Sequence, residues 1–376
     1  MYMMFKMKLA SFSSEKERHL FWFVKRFSVK HLLIYLESLD RSKKNLQSVL
    51  VVSAHSWELE EKKRNVSMEV IKVSPRGYCY GVVDALQVVR QAIKDPHVPR
   101  PVHILGQIIH NRHAVEAFTA SGVITLDGPD RVDLLEQVTG GTVIFTAHGV
   151  SPLVKARARE RGLYCIDATC PDVTVTHQLV SMLAQQGYVI LYIGKRGHPE
   201  PEGVLGEVPG QIFLVEKGAD VDALAPELQR RERIAVTTQT TLSQWDTRQL
   251  ISYIKEQYPR AQVHIDICAA TQKRQEAVAS QAKGAELTIV VGDPRSNNTN
   301  RLVQVSEEVA GVPAVRIEDL SQLRPEWLAG KKRIAVTAGA STPSHVTREV
   351  IRYLEAYDSH AVQTEALVPV RKEDRE

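Results

Sequence analysis

The sequence predicts an α/β protein made of three similar units, because one pattern recurs with a period near one hundred residues. Three of the four cysteines, Cys79, Cys170 and Cys268, are 91 and 98 residues apart. Each follows a strand-like apolar run and precedes a helix-like stretch. Between successive cysteines, and again after the last, two more apolar runs each break into a polar loop. The pentapeptide RIAVT begins at Arg233 and again at Arg333, so even the strands echo one another.

The elements follow in the same order in each unit. The strands before the cysteines are predicted at 69–73, 163–166 and 263–267. Helical spacing of apolar residues follows in GVVDALQVVRQAI, PDVTVTHQLVSMLAQQG and AATQKRQEAVASQAKG, and Pro171 suits a first helical turn, where its missing N–H costs nothing. The two later strands of each unit end in the loops GQIIHN (106–111) and TAHGVSP (146–152), then GKRGHPEPEG (194–203) and TTQTTLS (237–243), then GDPRSNNTN (292–300) and TAGASTPS (337–344).

The repeat sets the predicted domain boundaries, and a chain of 376 residues is long enough for two or three domains. We predict a first α/β domain at 68–170, completed by residues 342–360 near the C-terminus. A second domain is predicted at 171–266 and a third at 267–341. Residues 361–376 are predicted to be a flexible tail.

Residues 1–67 differ from the rest, because the alternation of helix and strand begins only at Met68. Three interpretations remain open: a start codon assigned upstream of the true start at Met68, a targeting or membrane-surface segment, and a small accessory domain. The first is favoured, since glutamates at 15, 17 and 37 do not suit an acid-poor transit peptide and the apolar content is thin for a domain. We therefore expect a non-native or disordered extension without chemistry of its own.

Composition narrows the class of protein. An apolar fraction of 43% and a charged fraction of 24% are ordinary for a globular protein, and no run approaches the length of a membrane-spanning helix. The net charge is +4, but residues 1–67 alone hold 13 Lys/Arg against 7 Asp/Glu, so the remainder is close to neutral and shows no nucleic-acid footprint. Four cysteines without a secretory signal predict a reducing compartment, the cytoplasm.

The matched cysteines predict a metal centre. A thiol at a helix N-terminus faces the positive end of the helix dipole, so we expect a lowered pKa and a thiolate that binds metal. Zinc would favour four ligands in two short C-x₂₋₄-C pairs, and the sequence has only one such spacing, from Cys165 to Cys170; a redox dithiol would need C-x-x-C, which is absent. Three distant cysteines suit an iron–sulfur cluster with one iron that lacks a protein thiolate. Cys165, in the apolar run GLYCID, is predicted to be a small core residue instead.

The polar loops are rich in neutral hydrogen-bond donors and contain one conspicuous carboxylate, Glu200. Loops at the carboxyl ends of strands are where α/β sheets bind ligands, and nearby glycines let backbone amides approach an anion. Such donors suit a diphosphate, while a single carboxylic acid among them suits proton delivery. The candidate donors are His110, His148, His198, Thr240, Thr241, Ser296, Asn297, Asn298 and Ser341.

Residues 68–360 resemble the 4-hydroxy-3-methylbut-2-enyl diphosphate reductase family, whose reaction is the last step of the methylerythritol phosphate route to isoprenoids. Nine collinear motifs carry the resemblance: PRGYCYGV, GQIIHN, TAHGVSP, DATCPDVTVTH, GHPEPEG, TQTTLS, DICAATQKRQEAV, SNNTNRL and TAGASTPS. Position 297 departs from the pattern, because some members carry a second serine where this chain has asparagine. Residues 293–295 vary among members, and we assign them no role.

The resemblance implies a pseudo-threefold trefoil of α/β domains around a central [4Fe-4S] cluster, with Cys79, Cys170 and Cys268 as ligands. It further implies that the substrate hydroxyl binds the fourth, open iron. Glu200 would supply the proton that lets this hydroxyl leave as water, and Thr240 would help to hold the hydroxyl and orient the acid. A one-electron donor such as ferredoxin or flavodoxin would drive reduction to isopentenyl or dimethylallyl diphosphate. The residues implied at the diphosphate are His110, His148, His198, Ser296, Asn298 and Ser341, with Asn297 a further candidate.

Three rival interpretations compete: the first is another kind of enzyme, and the other two are proteins of other classes. A non-redox hydro-lyase of the aconitase type also uses a three-cysteine cluster, but such enzymes usually take two cysteines from one C-x-x-C. An iron–sulfur sensor that binds nucleic acid does not fit the near-neutral core. A plain nucleotide-binding protein would have G-x-G-x-x-G after its first strand, and the sequence has none there.

Overall fold

The computed structural model describes residues 68–357. The predicted extension at 1–67 and tail at 361–376 lie outside the described residues. The described part contains three four-stranded sheets in which every strand pairing is parallel. None of the helices within residues 68–357 has the length and apolar character needed to cross a bilayer.

The strands are distributed over the three sheets in a repeated order. The first sheet has the order β3-β2-β4-β5, the second β7-β6-β8-β9 and the third β11-β10-β12-β1. The strands are β1 (Glu69–Lys72), β2 (Val102–Leu105), β3 (Ile124–Leu126), β4 (Thr142–Phe145), β5 (Tyr164–Asp167), β6 (Val189–Ile193), β7 (Ile212–Val215), β8 (Ile234–Thr238), β9 (Gln262–Val263), β10 (Leu287–Val291), β11 (Ala314–Ile317) and β12 (Arg333–Ala338). The three predicted α/β units are therefore confirmed as three sheets of one topology.

Helices cover the sheets, as parallel strands buried on both faces require. They are α1 (Tyr80–Lys94), α2 (Arg112–Ala120), α3 (Arg131–Glu136), α4 (Pro152–Glu160), α5 (Pro171–Gln185), α6 (Pro199–Leu205), α7 (Gly218–Ala223), α8 (Ala225–Leu228), α9 (Gln244–Gln257), α10 (Ala269–Gln281), α11 (Asn297–Val305) and α12 (Ser344–Ala356). The middle strands β2, β4, β6, β8 and β10 are buried throughout, so each unit has its own apolar core.

The structure corrects the unit to which we assigned the first strand and the last helix. We predicted that the strand at 69–73 begins the first unit and that residues 342–360 complete it. Instead, β1 pairs with β12 in the third sheet, and α12 packs on the apolar face of that same sheet. Without β1, the inner strand β12 would have an unpaired edge. Local patterning shows that a strand exists, but not which distant strand it pairs with.

This pairing explains where the cysteines lie. After β1 the chain leaves the third sheet, and α1 packs on the first. After β5 it leaves the first sheet, and α5 packs on the second. After β9 it leaves the second sheet, and α10 packs on the third. Each of the three crossings begins at one of the three matched cysteines.

Candidate active site

Each sheet has a crevice at the carboxyl ends of its two middle strands, where the strand order reverses direction. The six polar loops begin there: after β2 and β4, after β6 and β8, and after β10 and β12. The candidate donors of the sequence analysis all lie on these loops or on the first turn of the helix that follows. The fold thus directs them to the ligand-binding edges of their sheets.

The three matched cysteines are the N-cap residues of α1, α5 and α10. Their backbone N–H groups make equivalent hydrogen bonds: Cys79 to Ala340 O at 3.2 Å, Cys170 to Ala147 O and Cys268 to Thr240 O, both at 3.0 Å. Every acceptor lies in the polar loop after β12, β4 or β8. The cysteine positions and the donor loops are therefore tied together by the backbone in all three units.

The thiols lie close to one another. A Cβ added to Gly81, on the first turn of α1, would overlap Cys170 Sγ, so two of the crossings are in contact. Burial raises the pKa of Cys170 to about 12 and raises that of Cys268, and the charge of Cys79 adds to both shifts. We predicted lowered pKa values from the helix N-termini. Backbone amides do lower the Cys170 pKa, but burial outweighs them.

Cys165 is separate from this group. It lies within β5, half-buried, and its Sγ contacts the carbonyl of Leu163 at 3.5 Å. Its side chain packs beside the core of the first unit. The prediction of a packing role for Cys165 agrees with these contacts.

His110, His148 and His198 form one cluster. Their ring centroids are 4.4 Å apart for His110 and His148, 5.3 Å for His110 and His198, and 5.4 Å for His148 and His198. One ring nitrogen from each lies within 4.8 Å of the others, a spacing that would also admit a metal ion. Nε2 of His110 is buried and has no hydrogen-bond partner, which leaves a polar atom for a ligand.

The three imidazoles are neutral near pH 7. Burial lowers the pKa of His110 to about 4 and that of His198 to about 3, and it holds the pKa of His148 well below the usual value. His198 Nδ1 accepts the Glu200 N–H at 3.2 Å, so its proton is on Nε2. The cluster therefore offers neutral N–H donors rather than imidazolium charges.

Glu200 is almost fully enclosed on the first turn of α6, with 1% of its surface exposed. Its Oε1 accepts the Thr240 N–H at 2.7 Å. Burial raises the pKa of Glu200 to about 7, against hydrogen bonds from Thr240 and Gln239 that lower it. A carboxyl group with this pKa is protonated in a large fraction of molecules at neutral pH, as a general acid must be.

The third unit contributes hydroxyl and amide groups. Ser296 caps α11, and its Oγ lies 3.4 Å from Oγ of Ser341. Asn297 is turned toward the second unit, where its Nδ2 donates to Thr241 O at 3.0 Å and Thr241 Oγ1 at 3.1 Å. Asn297 thus joins two loops instead of presenting a free amide.

Asn298 occupies the place in the third unit that Glu200 occupies in the second. Both lie two residues after the N-cap of the helix that follows a middle strand, His198 for Glu200 and Ser296 for Asn298. The Asn298 Oδ1 accepts the Ala340 N–H at 3.0 Å, as the Glu200 carboxylate accepts the Thr240 N–H. Asn298 also donates from Nδ2 to Thr271 Oγ1 at 3.2 Å, beside Cys268.

A buried cation that the sequence pattern does not reveal lies next to the histidines. Arg131 is 6% exposed, donates to Leu105 O, and packs so tightly on Gly106 that a side chain at 106 would overlap its guanidinium. Its charge helps to lower the pKa of all three imidazoles. The motif that holds it, DRVD at the start of α3, carries no signal beyond an ordinary helix cap.

Two further contacts between side chains involve the neighbourhood of the loops. His177 Nδ1 lies 2.6 Å from Glu207 Oε1, and the His177 ring packs under Gly149 and Gly203, next to the histidine loop and the Glu200 helix. Arg295, to which we assigned no role, contacts Asp127 at 3.1 Å and so joins the third unit to the first. Neither contact is visible in the local sequence pattern.

Comparison with known proteins relates this site to one family. The family model described as LytB protein matches residues 70–355. A protein named 4-hydroxy-3-methylbut-2-enyl diphosphate reductase from Symbiobacterium thermophilum is 58% identical over 291 residues, which cover 77% of this chain and 98% of that protein. A protein of the same name from Anoxybacillus flavithermus is 56% identical over 308 residues, which cover 81% of this chain and 97% of that protein.

Solved structures agree with this relationship. The E-1-hydroxy-2-methyl-but-2-enyl-4-diphosphate reductase of Plasmodium falciparum matches with a TM-score of 0.70 and 32% identity, over 76% of this chain and 87% of that one. A structure described as (E)-4-hydroxy-3-methyl-but-2-enyl diphosphate reductase, the terminal enzyme of the non-mevalonate pathway, matches with a TM-score of 0.56 and 32% identity. That match covers 77% of this chain and all of the other.

Proposed function

Because this chain belongs to the LytB protein family, we propose that it reduces (E)-4-hydroxy-3-methylbut-2-enyl diphosphate to isopentenyl and dimethylallyl diphosphate. This is the last step of the methylerythritol phosphate route to isoprenoid precursors. The observation that carries the proposal is the enclosed acid Glu200 next to a cluster of neutral imidazoles, with three thiols tied to the same loops. An acid, anion donors and a metal centre are the groups that this reaction needs.

The residues at the three crossings fit a [4Fe-4S] cluster held by Cys79, Cys170 and Cys268, with one iron open. The donor set is sulfur from three separate helix N-termini, and Cys79 is close enough for its charge to raise the pKa of Cys170 and of Cys268. Neighbouring buried thiolates repel, so a cationic centre between them is what would favour deprotonation. When bound, such a cluster supplies the two electrons of the reaction and a Lewis acid for the substrate hydroxyl.

The imidazole cluster and the hydroxyls of the third unit would bind the diphosphate. Neutral His110, His148 and His198 each keep an N–H donor, and Arg131 behind them adds a permanent positive charge. Ser296 and Ser341 contribute two neighbouring hydroxyl groups, with the Asn298 amide beside them and Asn297 as a connection between loops. The same nitrogens could hold a metal ion, but the relatives named above are diphosphate reductases, which favours the anion.

Glu200 would donate the proton that turns the leaving hydroxyl into water. Removing hydroxide from an allylic carbon is unfavourable without protonation, and a carboxyl group with a pKa of about 7 is suited to donate at neutral pH. The Thr240 N–H holds one carboxyl oxygen, which fixes the acid, and the Thr240 hydroxyl would help to hold the substrate hydroxyl. Two electrons and two protons convert the substrate to product and water.

The remaining participants are also part of the proposal. A one-electron donor such as ferredoxin or flavodoxin would deliver the electrons one at a time. Free thiols at the cluster position agree with a reducing compartment, for which we propose the cytoplasm. No described contact favours the rival hydro-lyase, and the relatives are named as reductases.

The decisive experiment is an anaerobic assay with the reconstituted protein and chemically reduced methyl viologen as the one-electron donor. We expect both diphosphate products, with two electrons consumed for each molecule of substrate. Electron paramagnetic resonance of the reduced protein would report the cluster type. Loss of water from the substrate without consumption of the reductant would contradict the proposal and favour a hydro-lyase. A C165S variant is the matched control, since it removes a thiol outside the site.

A further inference from the structure

Arg274 is a buried cation for which the fold offers no ordinary partner. It lies on α10, six residues after Cys268, and only 5% of its surface is exposed. Charged side chains are almost never buried this far unless they are paired. An explanation for its charge is therefore required.

The hydrogen bonds of Arg274 all end on neutral carbonyl groups. Its Nε and Nη2 donate to Gly77 O at 3.2 and 2.6 Å, and Nη2 also donates to Tyr78 O at 3.1 Å. Nη1 donates to Ala270 O at 2.8 Å. The side chain thus joins the helix that follows Cys268 to the two residues that precede Cys79.

The charge itself would be compensated by thiolates at Cys79 and Cys268. Within residues 68–357, Arg274 makes no ion pair with a carboxylate. Burial lowers its pKa, and the groups that raise it again are Cys79 and Cys268. These are two of the three residues that we assign to the cluster.

Comparison of the three units shows that a crossing between two sheets does not need a buried cation. The positions equivalent to Arg274, six residues after the other two cysteines, are Ala85 and Thr176. Each is buried at the corresponding crossing of its own unit, and neither carries a charge. The first and second units close without an arginine, so packing alone does not explain Arg274.

We propose that Arg274 is the electrostatic counter-charge of the cysteine-held centre and the clamp that joins two of its three ligand segments. The inference rests on the proposed cluster. A positive charge fixed beside a redox centre favours the reduced, more negative state, so it raises the reduction potential. The clamp keeps Cys79 and Cys268 in place when electrons are added. Arg274 is a positioning residue, since it acts through the thiolates and not on the substrate.

Three variants separate the charge from the clamp. Arg274→Gln removes the charge, Arg274→Lys keeps it but loses the planar fork of donors, and Lys273→Gln is the matched control. Lys273 is the neighbouring residue on the exposed side of the same helix. Each anaerobically reconstituted protein is titrated with a reductant under electron paramagnetic resonance to obtain its midpoint potential. The rate of iron loss to a chelator is measured in parallel.

We expect a lower midpoint potential in R274Q, with R274K and K273Q close to the unsubstituted protein. Iron loss should be faster by about ten- to a hundredfold in R274Q, intermediate in R274K and unchanged in K273Q. If R274Q retains too little iron to titrate while R274K retains it, the requirement for the charge is upheld.

An unchanged potential in loaded R274Q would overturn the counter-charge. Equal iron loss in R274Q and R274K would also overturn it and reduce Arg274 to a structural clamp. If the unsubstituted chain binds no cluster at all, the proposed cofactor fails first. If it binds the cluster but is indifferent to residue 274, this inference alone is wrong.

Discussion

In the second sheet a carboxyl oxygen of Glu200 accepts the N–H of Thr240, and in the third sheet the amide oxygen of Asn298 accepts the N–H of Ala340. The backbone geometry is the same in both, down to the cysteine N–H that bonds the carbonyl of Thr240 or Ala340. The side chains differ in whether they can give up a proton. A repeated scaffold thus supplies the cysteine positions three times, while the acid is supplied once. The features that the units share place the cysteines, and the residues in which the units differ supply the acid.

The largest effect should come from breaking what the units share. Replacing any one of Cys79, Cys170 or Cys268 by Ser should remove most of the bound iron and all reductase activity, because each unit contributes one ligand. Iron per chain after anaerobic reconstitution is the measurement. C165S is the control and should differ by no more than a modest packing cost; if it proved equally damaging, the assignment of three ligands would be wrong.

Glu200→Gln would replace the acid of the second unit by an amide, the group that Asn298 carries in the third. Size and hydrogen-bonding capacity are kept, but the acid is lost, so turnover should fall by about 10²–10⁴-fold while the substrate still binds. Single-turnover rates and titration of the substrate against the cluster spectrum separate the two quantities. Near-normal turnover in E200Q would falsify the proton-donor role and assign it to a bound water or to the substrate's own diphosphate.

The pH dependence of kcat/KM tests the same difference between an acid and an amide at residue 200. A general acid works in its protonated form, and the Glu200 pKa is raised to about 7. The value of kcat/KM should therefore fall above about pH 7, by about tenfold for each further pH unit, since this ratio reports ionisation in the free enzyme. E200Q should lack this limb. A limb that persists unchanged in E200Q would have to come from another group.

A smaller effect is expected from a substitution at His198, the N-cap of α6. His198→Asn keeps a good capping residue but removes the imidazole donor. Loss of one hydrogen bond to a charged ligand costs about 1.5–3 kcal/mol, or about ten- to a hundredfold in affinity. Substrate titration should show weaker binding together with a lower rate, in contrast to E200Q. Unaltered affinity in H198N would remove His198 from the diphosphate site.

The smallest effect should come from outside the three units. A chain that begins at Met68 should load its cluster and turn over like the full chain, because the matched family region begins at residue 70. Activity and thermal unfolding of the two chains give the comparison. A shortened chain that is inactive or insoluble would show that residues 1–67 take part in the structure.

The sequence predicted the chemistry of the site better than its connections. Cysteines at strand ends and donors on glycine-rich loops are visible because residue type and spacing carry the signal, and the structure brings the three histidines together. Arg131 and Arg274 were missed, since a buried arginine reads in sequence like any exposed one. The raised thiol pKa values were missed for a similar reason: burial, which decides them, depends on contacts between units.

The pairing of β1 with β12 has a consequence for how the protein is made. Residues 69–72 leave the ribosome long before their partners at 333–336, and synthesis of the intervening chain takes roughly tens of seconds. The first and second sheets can form meanwhile, but the third cannot finish until β12 has been made and pairs with β1. The backbone of Cys79 gains its hydrogen bond to Ala340 only at that moment. The segment of Cys79 is therefore fixed only after its partners at the far end of the third unit have been made, so the proposed cluster would be loaded late.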